Sequence, residues 1–296
     1  MMKKIGILGG LAWPSTVEYY AGICHLAEAR HIAMERAGIV EMPEMAIESL
    51  DMARATSLLG SDHDEASWTA FDAYHRAGLQ RLERSGAEFA VIACNTAHHR
   101  FAQITRGVAM PVLSILDIAA SACVQHGLTR LLILGTAQVM TSHVFPAAFL
   151  LHGIEARAPQ GKRNLRTIAA AINILQEGRI DDAPARIRAV VGRTAMGHLK
   201  GSTAVYLGCT ELPLAFPAFK HVGIFEADGI RYVNSTALHV QYAFDYATAG
   251  SIGAEPPRPC TPLYRTPTAT YASSIGADAI VRNGTADPLL HGAERA

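Results

Sequence analysis

The chain carries no excess of charge of either sign. Its 26 Lys and Arg balance 26 Asp and Glu, and the sequence pI is near 7.2. That balance offers no electrostatic footprint for nucleic acid or an anionic lipid surface. No uninterrupted apolar window approaches the roughly 18 residues a membrane span requires. The opening Met1-Met2-Lys3-Lys4 and its short apolar run resemble a signal peptide only superficially. Gly9-Gly10 ends the run before an adequate hydrophobic region forms. Cysteine is sparse: Cys24, Cys94, Cys123, Cys209 and Cys260 are an odd, scattered set without disulfide-scaffold spacing. The dinucleotide fingerprint Gly-x-Gly-x-x-Gly is also missing, and Gly6-x-x-Gly9-Gly10 reads as a tight strand-to-helix turn. These absences lead us to expect a cytoplasmic globular protein with reduced thiols and no nucleic-acid or membrane partner.

What is present concentrates in two short strings, Ala93-Cys94-Asn95-Thr96-Ala97-His98 and Gly208-Cys209-Thr210-Glu211-Leu212. Each cysteine follows a buried-strand pattern, Phe89-Ala90-Val91-Ile92 in one case and Ala204-Val205-Tyr206-Leu207 in the other. Small hydroxyl or amide residues suited to opening a helix come next. A thiol so placed lies at the carboxyl end of a strand, beside backbone N–H groups that favour its ionised form. The equivalence extends further: Lys4-Ile5-Gly6-Ile7-Leu8-Gly9-Gly10 is echoed by Arg130-Leu131-Leu132-Ile133-Leu134-Gly135-Thr136. The chain therefore reads as two related lobes, each opening on a strand that ends in Leu-Gly and each delivering a thiol at a later strand end. A pseudo-twofold pair would set those thiols on opposite sides of a shared cleft.

Length and alternation support that organisation. A chain of 296 residues, half of them apolar, has the material for two domains. Apolar runs alternate with helical patterns, the mark of α/β lobes with parallel central sheets. Strands are expected near Lys4–Leu8, Met42–Ser49, Glu88–Ala93 and Pro111–Ile115, then near Arg130–Leu134, Gly153–Arg157, Ser202–Leu207 and Val222–Phe225. Helices are expected near Ser15–Arg36, Asp64–Ser85, Thr141–Leu151, Arg163–Glu177 and Pro184–Lys200, with a short one after Cys94. Leu116–Leu128 reads as a helix joining the lobes, and Arg231–Ala249 as a closing helix that returns to the first. The division is thus 1–116 with 231–249, then 117–230, then a proline-rich irregular tail over 250–296.

Several chemistries compete for the two thiols. Buried structural cysteine is the ordinary fate of an isolated Cys and is assigned to Cys24 and Cys123. Cys94, His98, His99 and Cys209 could supply metal ligands, but without a CxxC partner no metal site is expected. His98 could activate Cys94 as a nucleophile, a design that needs only one thiol. Two-base proton transfer uses both: one thiolate takes a proton from carbon while the opposite thiol delivers one. His98 could border such a site, whereas His99, turned about 100° away on a helix, is expected in solvent. Arg54, in a loop after the second strand, could clamp a carboxylate. Lys162, Arg163 and Arg166 open a helix where positive charge opposes the macrodipole, which hints that they serve an anion.

These motifs together resemble the aspartate/glutamate racemase superfamily, the pyridoxal-phosphate-independent amino-acid racemases. The resemblance covers roughly residues 3–249 and rests on four stretches. They are Ile5-Gly6-Ile7-Leu8-Gly9-Gly10 with Ser15-Thr16-Val17-Glu18-Tyr19-Tyr20, then Cys94-Asn95-Thr96-Ala97-His98, Leu134-Gly135-Thr136 and Gly208-Cys209-Thr210-Glu211. Trp13 and the Ser15–Tyr20 run look most like the branch of aspartate and broader-specificity racemases. The resemblance implies two Rossmann-like lobes with the active site in the cleft between them, often in a homodimer, and no cofactor. It implies that Cys94 and Cys209 are the catalytic acid/base pair. Asn95, Thr96, Thr136 and Thr210 would hold the α-carboxylate and amino group, with Gly10, Leu11 and Glu211 also lining the substrate. Arg54 matches an arginine that approaches a distal carboxylate, and Arg166 a position where relatives carry Lys or Arg. Pro14 in place of an acidic residue, Leu11 in place of methionine and Gln160-Gly161-Lys162 in place of an acidic run depart from the pattern and bear on side-chain specificity.

The expected activity is interconversion of amino-acid enantiomers, aspartate or glutamate above all. Hydantoin racemase, arylmalonate decarboxylase and maleate isomerase share the scaffold. The decarboxylase is disfavoured because it would use one thiol. A small-anion binding protein that has lost turnover is the alternative outside catalysis.

Overall fold

The computed structural model of the chain describes residues 2–194 and 201–249. The expected tail over 250–296 and the last turns of the helix expected over 184–200 lie outside the described residues. The first sheet contains β1 (Ile5–Gly9), β2 (Met45–Ser49), β3 (Phe89–Ile92) and β4 (Val112–Leu113), all parallel and in the order β2-β1-β3-β4. The second contains β5 (Arg130–Gly135), β6 (Glu155–Arg157), β7 (Thr203–Gly208), β8 (Ile224–Ala227) and β9 (Ile230–Asn234), in the order β6-β5-β7-β9-β8. Omitting β8, the two orders superimpose: β5 stands where β1 does, β7 where β3 does and β9 where β4 does.

Helices fill the crossovers. In chain order they are α1 (Trp13–Ala33), α2 (Met52–Ser57), α3 (Thr69–Arg84), α4 (Phe101–Thr105), α5 (Ile115–Gln125), α6 (Ala137–Thr141), α7 (Val144–Leu150), α8 (Lys162–Gln176), α9 (Ala183–Gly192) and α10 (Ser235–Thr248). Both faces of each sheet are covered, so the central strands read as continuous apolar runs instead of alternating ones. Ile5, Ile7, Phe89 and Val91 pack under α1 and α10, while Leu8, Ala90 and Ile92 pack on the other face with Leu79 and Leu82 of α3. The second sheet repeats the division, with Leu132, Leu134, Val205 and Leu207 on one face and Leu131, Ile133, Ala204 and Tyr206 on the other. As expected, α10 returns to the first lobe: it packs on α1 and α5, and its Ala247 carbonyl accepts the Lys3 N–H at 2.8 Å.

Three local expectations change. Residues 231–234 are not the start of the closing helix but part of β9, which pairs parallel with β7 and antiparallel with β8. The second sheet is therefore mixed. The turn joining β8 to β9 is Asp228-Gly229, with φ of 53° and 71°. Two successive residues at positive φ make the type I′ hairpin geometry that an Asp-Gly pair favours. The closing helix starts only at Ser235, capped by Asn234, whose side chain accepts the Ala237 N–H at 3.0 Å. Second, Arg54 does not sit in a loop. Asp51 accepts the Ala53 and Arg54 N–H groups and caps α2, which carries Arg54. Third, the helix expected over 141–151 starts only at Val144, as α7, and a separate short α6 precedes it, with Ser142 and His143 between them.

Candidate active site

In each sheet the chain leaves the first strand toward one neighbour and later returns on the other side, so a crevice opens at the carboxyl ends of β1 and β3, and likewise of β5 and β7. In open α/β sheets that switch point is where ligands bind. The four strand ends deliver Gly9-Gly10, Cys94, Thr136 and Cys209 there.

The β1 end is shaped by Gly10 at φ 76°, where a Cβ would lie 2.1 Å from the Leu50 carbonyl oxygen. Its N–H donates to Thr16 Oγ1 at 2.8 Å. The Gly10 amide is therefore engaged within the turn, which leaves Gly10 to wall the cleft with its backbone and not to donate from its N–H. Leu11 is half-buried against the cluster around Leu8 and Leu50. The first turn of α1 then carries Ser15, fully buried, across to the other lobe. Its hydroxyl contacts Thr210 Oγ1 at 2.6 Å and donates to Glu211 Oε1.

At the β7 end, Cys209 Sγ donates to Glu211 Oε2 at 2.7 Å. Glu211 is 2% exposed, and among the described residues no Lys, Arg or His pairs with its carboxylate. Cys209 is 5% exposed, with Leu134, Met140, Leu207 and Leu212 in the same apolar cluster. At the β3 end, Cys94 is half-buried, and its sulfur interacts with the Ala97 and Thr96 N–H groups and the Thr96 hydroxyl. The fields of Cys94, Cys209 and Glu211 reach one another. Thr96 Oγ1 meets Thr136 Oγ1 across the lobes at 2.9 Å. The Asn95 side chain bridges the lobes as well, donating to Ser235 Oγ at 3.0 Å and accepting from the Tyr206 hydroxyl at 2.7 Å.

The expected bias toward thiolate is reversed. Burial pushes the Cys94 thiol up to about 11 despite the opposing Ala97 and Thr96 amides, and Glu211 adds to the rise. Burial and then the Glu211 carboxylate hold Cys209 well above the ordinary thiol range. Local amides favour an ionised sulfur, but desolvation outweighs them here.

Among the remaining candidates, Arg54 is exposed with its guanidinium 4.7 Å above the Tyr74 ring, and Arg166 is exposed on α8. No described contact brings either to the thiols. His99 is not in solvent. It is 9% exposed, its Nδ1 accepts from the Ser142 hydroxyl of the other lobe at 2.8 Å, and its Nε2 lies 3.0 Å from Asp62 Oδ1. Ser15, Ser142 and the Tyr19–His239 pair, joined at 2.7 Å, went unanticipated. Only the Ser15–Tyr20 run pointed toward Ser15 and Tyr19. Among the described residues, no three His, Cys, Asp or Glu side chains assemble into a metal-binding group, and no helix is long and apolar enough to cross a membrane.

Comparison with known proteins agrees with this geometry. The broad-specificity amino-acid racemase RacX of Bacillus subtilis (strain 168) is 28% identical over 94 residues, a match spanning 32% of this chain and 39% of RacX. An aspartate racemase homologue from Pyrococcus horikoshii OT3 superposes with a TM-score of 0.64 at 26% identity, over 83% of this chain and 100% of that one. A glutamate racemase from Campylobacter jejuni subsp. jejuni shares the fold, with a TM-score of 0.54 at 18% identity over 86% of this chain and 89% of its own. Residues 8–243, which include all four strand ends and both cysteine turns, match the Asp/Glu/hydantoin racemase family, and the chain belongs to it.

Proposed function

We propose that the protein is a cofactor-independent amino-acid racemase, acting on aspartate or glutamate through Cys94 and Cys209. The observation that carries this reading is a buried Glu211 carboxylate, unpaired by any described cation, in electrostatic reach of both thiols. A free amino acid supplies the missing cation as its α-ammonium group. With Cys94 raised to about 11, forming its thiolate at pH 7 costs about 5 kcal/mol. A unit positive charge about 4 Å from the sulfur, at an effective dielectric near 20, offsets about 4 kcal/mol of that. A substrate ammonium so placed therefore lowers the cost of ionising the sulfur. A hydantoin ring carries no such charge.

One sulfur, as thiolate, takes the Cα proton and leaves the electron pair delocalised into the α-carboxylate. The opposite thiol gives its proton to the other face of Cα, so thiol and thiolate exchange roles as configuration inverts. Thr96, Thr136, Thr210 and the backbone amides after Cys94 would stabilise the enediolate, each such donor being worth roughly 3–4 kcal/mol in comparable sites. Arg54 and Arg166 would meet the distal carboxylate by moving in from the surface. The same reading includes a cytoplasmic homodimer, for which the exposed α1 stripe of Trp13, Val17 and Tyr20 offers an apolar face. Light scattering reads that mass directly.

The test is Cα hydrogen–deuterium exchange, by NMR in heavy water without added cofactor, on both enantiomers of aspartate and glutamate beside 5-substituted hydantoins. Exchange of both enantiomers of a dicarboxylic amino acid is the expected result. Exchange of hydantoins alone makes the protein a hydantoin racemase. Binding of a dicarboxylate with no exchange of any substrate makes it a binding protein.

A further inference from the structure

We propose that His98 is a positioning residue for Cys94, clamping the Cys94 carbonyl so that the Ala97 amide stays free to face the sulfur. The proposal rests on the racemase reading for its catalytic consequence, though not for its geometry. Both cysteines precede a 3-10 turn, yet the turns treat the cysteine carbonyl differently. After Cys209 the backbone closes in the ordinary way, Leu212 N–H donating to the Cys209 carbonyl at 3.0 Å. The residue at the corresponding offset after Cys94 is Ala97, and its N–H acts on the Cys94 sulfur. The next N–H, that of His98, donates to Asn95 at 2.9 Å. The Cys94 carbonyl is instead taken by the His98 side chain, Nδ1 lying 2.8 Å away. Position four after the second cysteine is Pro213, which cannot supply such a group.

The other ring nitrogen decides the tautomer. His98 Nε2 accepts the Ile115 N–H at 3.1 Å. Ile115 is the first residue of α5, and its N–H is one of the donors a helix start leaves without an intrahelical partner. A backbone N–H can only donate and the Cys94 carbonyl can only accept, which assigns the ring proton to Nδ1; the Leu113 carbonyl, which also faces the ring, lies 3.2 Å from His239 Nε2. The ring is 1% exposed, stacked on Phe101 at 5.1 Å and edge-on to His239 at 6.0 Å. Burial keeps it neutral, holding its basicity down at about 4. The Cys94 N–H is bound to the Ile92 carbonyl at 2.8 Å, so the clamp fixes the cysteine backbone from its second side. Because α5 leads from the first sheet into β5, the clamp also registers Cys94 with the element that joins the two lobes.

Releasing the clamp would let the Ala97 N–H fall back to the Cys94 carbonyl, as in the second lobe, and the sulfur would lose a donor. His98→Asn and His98→Gln separate the two bonds. An Asn amide nitrogen can occupy the Nδ1 place and keep the Cys94 contact, while a Gln amide oxygen can reach the Nε2 place and keep only the Ile115 contact. Each variant leaves one buried backbone group unpaired, so a merely structural role predicts equal damage. The readout is the pH profile of Cys94 alkylation by iodoacetamide, resolved by peptide mass spectrometry and therefore independent of any substrate. We expect H98N within about 0.3 pH unit of the parent and H98Q raised by about one unit. For whichever amino acid exchanges, kcat should fall about ten- to a hundredfold in H98Q, with KM moving far less and H98N within about threefold. Equal shifts in the two variants, or none, overturn the proposal whatever the substrate is. Nitrogen-15 NMR of the parent protein needs no variant: a His98 ring protonated at Nε2 overturns it as well.

Discussion

Replacing Glu211 by Gln should move two observables in opposite directions. The side chain keeps its shape, and its Oε1 can still accept from Ser15 and Thr210. The negative charge beside both sulfurs disappears, however, and with it the acceptor 2.7 Å from Cys209 Sγ. A like charge at close range raises an acid by about 1–3 units, so Cys209 should ionise that much more easily in the variant, with a smaller fall at Cys94 from its value of about 11. Alkylation followed by peptide mass spectrometry between about pH 6 and 11 would show both profiles shifted to lower pH. More reactive thiols should nonetheless make a poorer catalyst. The variant lacks the charge that attracts an α-ammonium group. Cα exchange of aspartate or glutamate should therefore drop about 100-fold in kcat/KM, equivalent to about 2.7 kcal/mol. Exchange that rises along with thiol reactivity would refute the assignment of Glu211 to the ammonium. Profiles that stay in place would refute the electrostatic coupling itself.

Other perturbations test separate parts of the structure. Cys94→Ala and Cys209→Ala should each lower racemisation at least about 1,000-fold, measured by chiral chromatography, because two-base inversion has no route through one sulfur; activity above a tenth of the parent's contradicts it. Stability should fall in mild acid. His98 is neutral when folded, at about 4, whereas the unfolded ring takes up its proton near 6.5. Its contribution is complete above about pH 6.5 and is lost as pH drops toward 4, at about 1.4 kcal/mol per unit. His239 acts in the same sense, while Asp117 and Asp245, raised by burial, act in the opposite one. Urea midpoints that stay flat from about pH 7 to 5 would contradict the sign. Gly10→Ala meets positive φ and the Leu50 carbonyl together and should cost about 2 kcal/mol or more by urea titration. Arg100→Met strands Asp72, 6% exposed, without its cation and should cost about 3–5 kcal/mol.

The paired architecture was legible because its signals are local. An apolar run buried on both faces, ended by Leu-Gly or by a cysteine turn, needs no knowledge of distant residues. β9 is hidden for a similarly local reason: its Ile230, Tyr232 and Val233 run straight into the apolar pattern of α10, and only the Asp228-Gly229 hairpin turn marks where it begins. The interior of the site was hidden for a different reason. Ser15 and Glu211 are 196 positions apart, and Tyr19 and His239 are 220 apart, so nothing in either neighbourhood announces the other. Thiol ionisation is likewise non-local. The residues following each cysteine correctly indicated nearby N–H groups, but burial depends on the whole packed interior and reversed the sign.

The two lobes repeat one design and depart from it where the charges lie. Cys209 has its carbonyl closed by the Leu212 backbone and its thiol proton directed at a carboxylate. Cys94 has its carbonyl held by a neutral imidazole, while the Ala97 and Thr96 amides act on its sulfur. Under the proposed chemistry this difference matters. Inversion at carbon requires one sulfur ionised while the other is protonated, and two identical environments would leave that choice to chance. A carboxylate on one side accepts the sulfur's hydrogen bond and holds that thiol protonated. Amides on the other side favour a bare sulfur by solvating it. The pair is thus two unlike sulfurs, one held protonated by a carboxylate and one offered amides. Altering either environment should make kcat unequal for the two enantiomers, with KM changing in step so that kcat/KM stays equal, because the enantiomers are equal in free energy. Initial exchange rates of the L and D enantiomers at saturating substrate, compared for Glu211→Gln and His98→Gln, should therefore be skewed in opposite senses. Equal losses for both enantiomers in both variants would show that the environments are interchangeable.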